Sequence, residues 1–139
     1  MQWYIAAILS AVFAAITSIL AKLGIKDVNS NLATAIRTSF VLMITWGIAF
    51  WQKATPGIVN ISKNSWIFLI LSAIATGLSW VFYFYALKLG EASKVAPIDK
   101  MSLVLTILFA ALILGEKLTL AKGLGAILMT VGVIIIALS

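Results

Sequence analysis

Five long apolar stretches, nearly free of charge and separated by short polar turns, leave this chain few ways to fold. A run of roughly 18 or more apolar residues is long enough to cross the hydrocarbon slab of a bilayer as a helix. The runs here cover about residues 2–21, 31–51, 65–87, 93–114 and 120–138. Of the 139 residues, 63% are hydrophobic and only 10% charged, whereas soluble domains hold about half and a quarter. Such a chain has no way to hide its apolar surface in water. β-Strands do not fit, because each run is about twice the length of a barrel strand and shows no sustained alternation. The sequence therefore predicts an all-α integral membrane protein, a single domain over residues 1–139 with five transmembrane helices, and the lipid bilayer as its first partner.

The turns between the runs set the topology. Trp3 and Tyr4 at the start of the first run are amphipathic rings suited to the headgroup level. Lys22, Gly24, Lys26, Asp27, Asn29 and Ser30 form the first turn, and Gln52 to Asn64, with Pro56 and Gly57, the longest loop. Lys88, Gly90 and Glu91 make the third turn, and Gly115, Glu116, Lys117 and Thr119 the fourth. The first run has no basic segment before it and no small-residue cleavage site before Lys22, so it reads as a retained helix, which suits a prokaryotic plasma membrane. Five spans put the termini on opposite sides, where an excess of lysine and arginine normally fixes the orientation. One side carries four basic residues, Lys53, Lys63, Lys117 and Lys122, and the other carries Lys22, Lys26, Lys88 and Lys94. Arg37 and Lys100, inside the helices nearer the second side, make the balance six against four. So slight a bias permits both orientations to insert.

Composition also removes whole classes of function. With no cysteine and no histidine, the chain lacks disulfides, thiolate chemistry and the common zinc, haem and iron–sulfur ligands. No metal site and no cofactor is expected. The four acidic residues and the lack of a phosphate-cradling glycine loop leave no catalytic constellation, so an enzyme is not expected either. The net charge of +6 comes from lysines scattered in ones and twos at the ends of apolar runs. That is a topology signal, and no nucleic-acid partner follows from it.

The candidates for chemistry are the polar residues within the spans. Asp99 and Lys100 stand about 6–8 Å inside the fourth run if it enters the bilayer near Val95, at about 1.5 Å per residue. Lys100 can snorkel to the interface. Asp99 is too short to do so, and at helical spacing it shares a face with Ser102 and Thr106. Arg37 enters from the same side to similar depth, so an Arg37–Asp99 ion pair is geometrically open, either to fix packing or to serve a substrate. Ser72, Thr76, Ser79 and Tyr83 recur every three or four residues on the third helix, with Trp80 beside them. That stripe suits interhelical hydrogen bonds, a cavity lining, or both, and the faces of Trp80, Tyr83 and Tyr85 could hold an organic cation or a planar metabolite. On the fifth helix Gly125, Met129 and Gly132 share a face where a second helix can approach, within the protomer or across a dimer. Glu116 sits in a helix-stop and N-cap setting and reads as structural.

The segment from Phe84 to Leu138 resembles the second half of an EamA-type domain of the drug/metabolite transporter superfamily. The residues that carry the resemblance are Tyr85-Ala86-Leu87-Lys88-Leu89-Gly90-Glu91-Ala92-Ser93, Val95-Ala96-Pro97, and Leu114-Gly115-Glu116-Lys117-Leu118-Thr119 with Gly123, Gly125 and Gly132. Lys22-Leu23-Gly24 and Ala35-Ile36-Arg37 agree with the start of the same repeat. Similar proteins mostly join two five-helix repeats in opposite orientations, whereas this chain supplies one. The resemblance thus implies one inverted repeat unit that completes itself as an antiparallel, dual-topology homodimer, in line with the lysine count. It implies transport of a small metabolite or drug-like solute by alternating access, with the site near the midplane. The related small multidrug resistance proteins use a glutamate in their first helix; the first helix here has no acid, which argues against that cation-export site. Two other readings stay open: a non-transporting membrane subunit or lipid-carrier flippase component, and a half-transporter paired with a paralogous chain.

Overall fold

The computed structural model describes residues 2–139. Its elements are α1 (Trp3–Gly24), α2 (Ser30–Trp51), a 3₁₀ turn (Thr55–Asn60), α3 (Lys63–Leu89), α4 (Ala92–Asp99), α5 (Met101–Ile113) and α6 (Leu120–Leu138), with no strand among the described residues. Five stretches are long and apolar enough to span a membrane: α1, α2, α3, Ala92–Ile113 as α4 with α5, and α6. The chain is thus an all-helical integral membrane protein.

Helix ends differ from the apolar runs for local reasons. α1 continues past Ala21 to Gly24, because the Lys22 ammonium does not leave the helix for water but donates to the carbonyl of Leu87. α3 starts at Lys63 and ends at Leu89, so polar residues extend the helix beyond the part that is apolar. The start of α2 is set by Asn29, whose side chain accepts from the N–H groups of Asn31 and Leu32, satisfying two of the orphan donors every helix start presents. Thr119 does the same for α6 through Lys122 N–H, at 3.3 Å. α2 ends with Lys53 at φ 55°, its N–H on Phe50 O and that of Ala54 on Ala49 O, both at 3.0 Å. This is the Schellman closure, made here without the usual glycine. Gly115, at φ +67°, turns the chain out of α5 where a side chain would be strained.

The chain divides into two compact units, Met1–Leu20 with Leu89–Ser139, and Ala21–Lys88. In the first, α6 packs against both α4 and α5, with Gly125, Ala126, Met129, Gly132 and Val133 partly covered. In the second, the buried apolar side chains are Ile25, Phe84 and Leu87, accompanied by buried Ser30 and Thr34. Thr34 donates its hydroxyl to Ser30 O at 2.8 Å, so neither hydroxyl nor carbonyl is stranded in an apolar setting. Lys88 donates to Val28 O at 2.8 Å, tying the turn before α2 to the C-terminal end of α3, and Lys22 on Leu87 O ties the end of α1 to it as well. Elsewhere large apolar side chains point outward, Phe13 at 65%, Phe68 at 71% and Leu128 at 72% exposure. Such exposure would aggregate a soluble protein and is what lipid tails require.

Candidate functional site

Among the described residues, the fourth span is the one apolar run that is not a continuous helix. Pro97 lies inside α4 and α4 ends at Asp99, with Lys100 between the two helices at φ −69°, ψ −6°. Proline has no N–H, so the carbonyl of Ser93 loses its helical donor, and the ring crowds the preceding turn. Four residues later the chain restarts as α5, with Leu103 N–H on Lys100 O at 3.0 Å. The break lies eight residues beyond Ala92, about 12 Å along the axis. Its two charged side chains face each other, the Lys100 ammonium 3.2 Å from an Asp99 carboxylate oxygen. Asp99 is half-buried and Lys100 is the more exposed partner.

The break opens on a cavity of about 490 Å³ inside the first unit. One wall is α1, through Ala7, Ser10, Ala11, Ala14, Ala15 and Ser18; the other is Ala96, Pro97, Lys100 and Leu103. The α1 wall is a helical stripe of small residues, whose missing bulk makes the space. A volume of this order suits a small organic molecule, which needs about 300–1,000 Å³. The lining residues are apolar except for Ser10, Ser18 and Lys100, and Ser18 spends its proton on Ala14 O at 3.0 Å. Lys100 therefore belongs to a cavity wall. Of these residues only Lys100 was a candidate from the sequence; Ser10 and Ser18 were not.

In the second unit Arg37 lies over aromatic rings, its guanidinium carbon 4.5 Å from the centroid of Trp80 and 5.7 Å from that of Phe84. The rings are ordered in turn: Phe84 is buried, and Tyr83 and Phe84 meet edge to face at 6.3 Å. Cation–π contacts of this kind contribute about 0.5–2 kcal/mol, more as water is excluded. Arg37 and Asp99 fall in different units, and each has a partner within its own, the rings for Arg37 and Lys100 for Asp99. The Trp80 face offered to a cationic solute at the sequence level is covered by the protein's own cation. Phe84 was not anticipated, since its residue type is unremarkable in an apolar helix.

The remaining candidates are dispersed. Ser72, Thr76 and Ser79 are exposed on α3, with Thr76 donating to Ser72 O at 2.9 Å. Ser102 is exposed on α5 and its carbonyl accepts from Thr106 at 2.8 Å. Thr106 lines a separate hollow of about 360 Å³ with Glu116, Lys117 and Lys122, apart from the cavity that Lys100 lines. Glu116 pairs with Lys122 at 3.5 Å, bracing the turn into α6. A side chain added at Gly125 or Gly132 would meet nothing within 4 Å, so close packing inside the unit is not what keeps these positions small.

Comparison with known proteins accounts for this architecture. The model of the EamA-like transporter family matches residues 1–138. A protein described as an uncharacterized transporter in the cobO 3′ region of Sinorhizobium sp is 44% identical over 140 residues, covering 98% of this chain and 96% of that protein. An uncharacterized protein of Methanocaldococcus jannaschii is 32% identical over 72 residues, 52% of this chain and 53% of its own length. No solved structure matches. Family and relative both point to transport rather than catalysis, and with five membrane-length helices the chain belongs to the EamA-like transporter family.

Proposed function

We propose that this membrane transporter moves a small metabolite or drug-like solute by alternating access, as an inverted homodimer in a prokaryotic plasma membrane. The observation that carries the reading is the fourth span, broken at Lys100 beside a cavity of small-molecule size. Transporters place interrupted helices at their binding sites because a break frees backbone polar groups and charge where the bilayer supplies none. In the first unit we assign Lys100, with Asp99 beside it, to the solute path; in the second, Arg37, Trp80 and Tyr83 are a separate candidate cluster. Ser72, Thr76 and Ser79 on α3, and Ser102 and Thr106 on α5, remain candidates outside that cavity. The inverted dimer is supported by the near balance of lysines across the two sides; on α6, Gly125, Met129 and Gly132 are the candidate contact for a second copy, with room for a side chain at both glycines. The two relatives come from a bacterium and an archaeon, in keeping with a prokaryotic membrane.

The test is transport by purified protein in liposomes, combined with orientation. The native chain contains no cysteine, so Ser139→Cys gives a single reporter at the carboxyl terminus. An impermeant maleimide should reach it from both faces of the membrane in comparable amounts. Labelling from one face only would overturn the inverted dimer, and absence of solute movement across a metabolite screen would overturn the transporter reading.

A further inference from the structure

We infer that the solute is an organic anion, and that Arg37, seated on Trp80 and Phe84, receives its carboxylate or phosphate group. The inference rests on reading the chain as a transporter, but its geometry is that of the second unit alone. Arg37 is the chain's one arginine and lies seven residues into α2, about 10 Å along the axis from its start. Within Ala21–Lys88 the one acid is Asp27, exposed in the turn before α2. Among the described residues of this unit, the partners of the guanidinium are the two rings.

A ring stabilises a guanidinium through its π-face and offers nothing to the N–H donors of the planar fork, which match the paired oxygens of a carboxylate or phosphate. The rings thus hold Arg37 in place and leave its hydrogen bonds unspent. Charge within the spans argues the same way. Lys100 and Asp99 neutralise each other at 3.2 Å, so Arg37 leaves the interior of the spans one positive charge in excess. An uncompensated charge at such depth is costly. A bound oxyanion removes that cost, whereas a cationic solute adds to it.

The sole arginine makes the test direct. Phenylglyoxal condenses with guanidinium groups, and mass spectrometry of the native protein in phosphatidylcholine liposomes reads the rate of modification at Arg37. Inorganic phosphate, citrate, benzoate and hexose phosphate are compared with chloride and choline at equal ionic strength. At least one oxyanion should slow modification several-fold where chloride and choline do not. Arg37→Lys, which keeps the charge but loses the fork, should weaken binding of that same anion several-fold in a thermal-shift titration. Protection by phosphatidylglycerol vesicles without added solute would identify a lipid headgroup as the source of the oxyanion. An Arg37 that no reagent reaches, or one that no oxyanion and no anionic lipid protects beyond chloride, overturns the inference. Because protection reports binding at Arg37 and not translocation, failure of solute transport leaves this result standing, and the reverse also holds.

Discussion

The charges of the fourth span behave as a local pair, which changes what their substitutions should do. With Lys100 3.2 Å from Asp99, Asp99→Asn strands an ammonium at the helix break. The penalty should fall below the roughly 2.5–3.5 kcal/mol of a charge at the centre of a span, because a lysine can snorkel. Asp99→Asn combined with Lys100→Met should recover the loss, whereas Asp99→Asn with Arg37→Gln should not. Unfolding of purified protein in mixed micelles by increasing SDS checks both. Recovery by the Arg37 substitution instead would mean that the working pair is Arg37–Asp99. If Lys100 also serves the cavity it lines, the recovered double variant should fold well and transport poorly.

Among the elements, the broken span is the one the proposed mechanism rests on, and it was the hardest to foresee. Five spans were legible because hydrophobic length alone marks a transmembrane helix. Pro97 was visible within the fourth run, but whether a proline bends a membrane helix or interrupts it depends on how the freed backbone groups are satisfied. Those partners are tertiary. The α1 wall escaped for a related reason: alanines and serines between isoleucines and leucines look like ordinary apolar filler until a second helix shows which face they line. Arg37 and Trp80 were each identified, but their contact joins two helices and no local spacing reports it. Pro97→Ala restores a donor to Ser93 O and should straighten α4 into α5. Stability should rise by up to about 3 kcal/mol, the cost of an interior proline in a helix, while the transport rate falls because the break can no longer flex. A straightened variant that transports at the native rate would remove the break from the mechanism.

At the scale of the whole molecule, the proposed inverted homodimer has α6 as the place where its two copies meet. Leucine at Gly132 tests this without confusing folding with assembly, because a side chain there begins in open space within the unit. Gly132→Leu should leave the SDS unfolding midpoint nearly unchanged and shift the dimer toward monomer in light scattering. An intact dimer would move the interface off this face. Direction is read separately, again using the absence of native cysteine. If two α6 helices cross antiparallel, Lys122 near the start of one lies beside Ile136 near the end of the other, so chains carrying Lys122→Cys should crosslink to chains carrying Ile136→Cys. Parallel helices would instead bring like positions together, and each variant would crosslink to itself. Removing Lys122 also lowers the count on its side from four to three, biasing the orientation of that chain. A compensating lysine at Leu118, on the same turn, keeps the topology balanced during the measurement. Crosslinking between unlike positions that survives this compensation establishes the inverted pair; self-crosslinking of both variants replaces it with a parallel one.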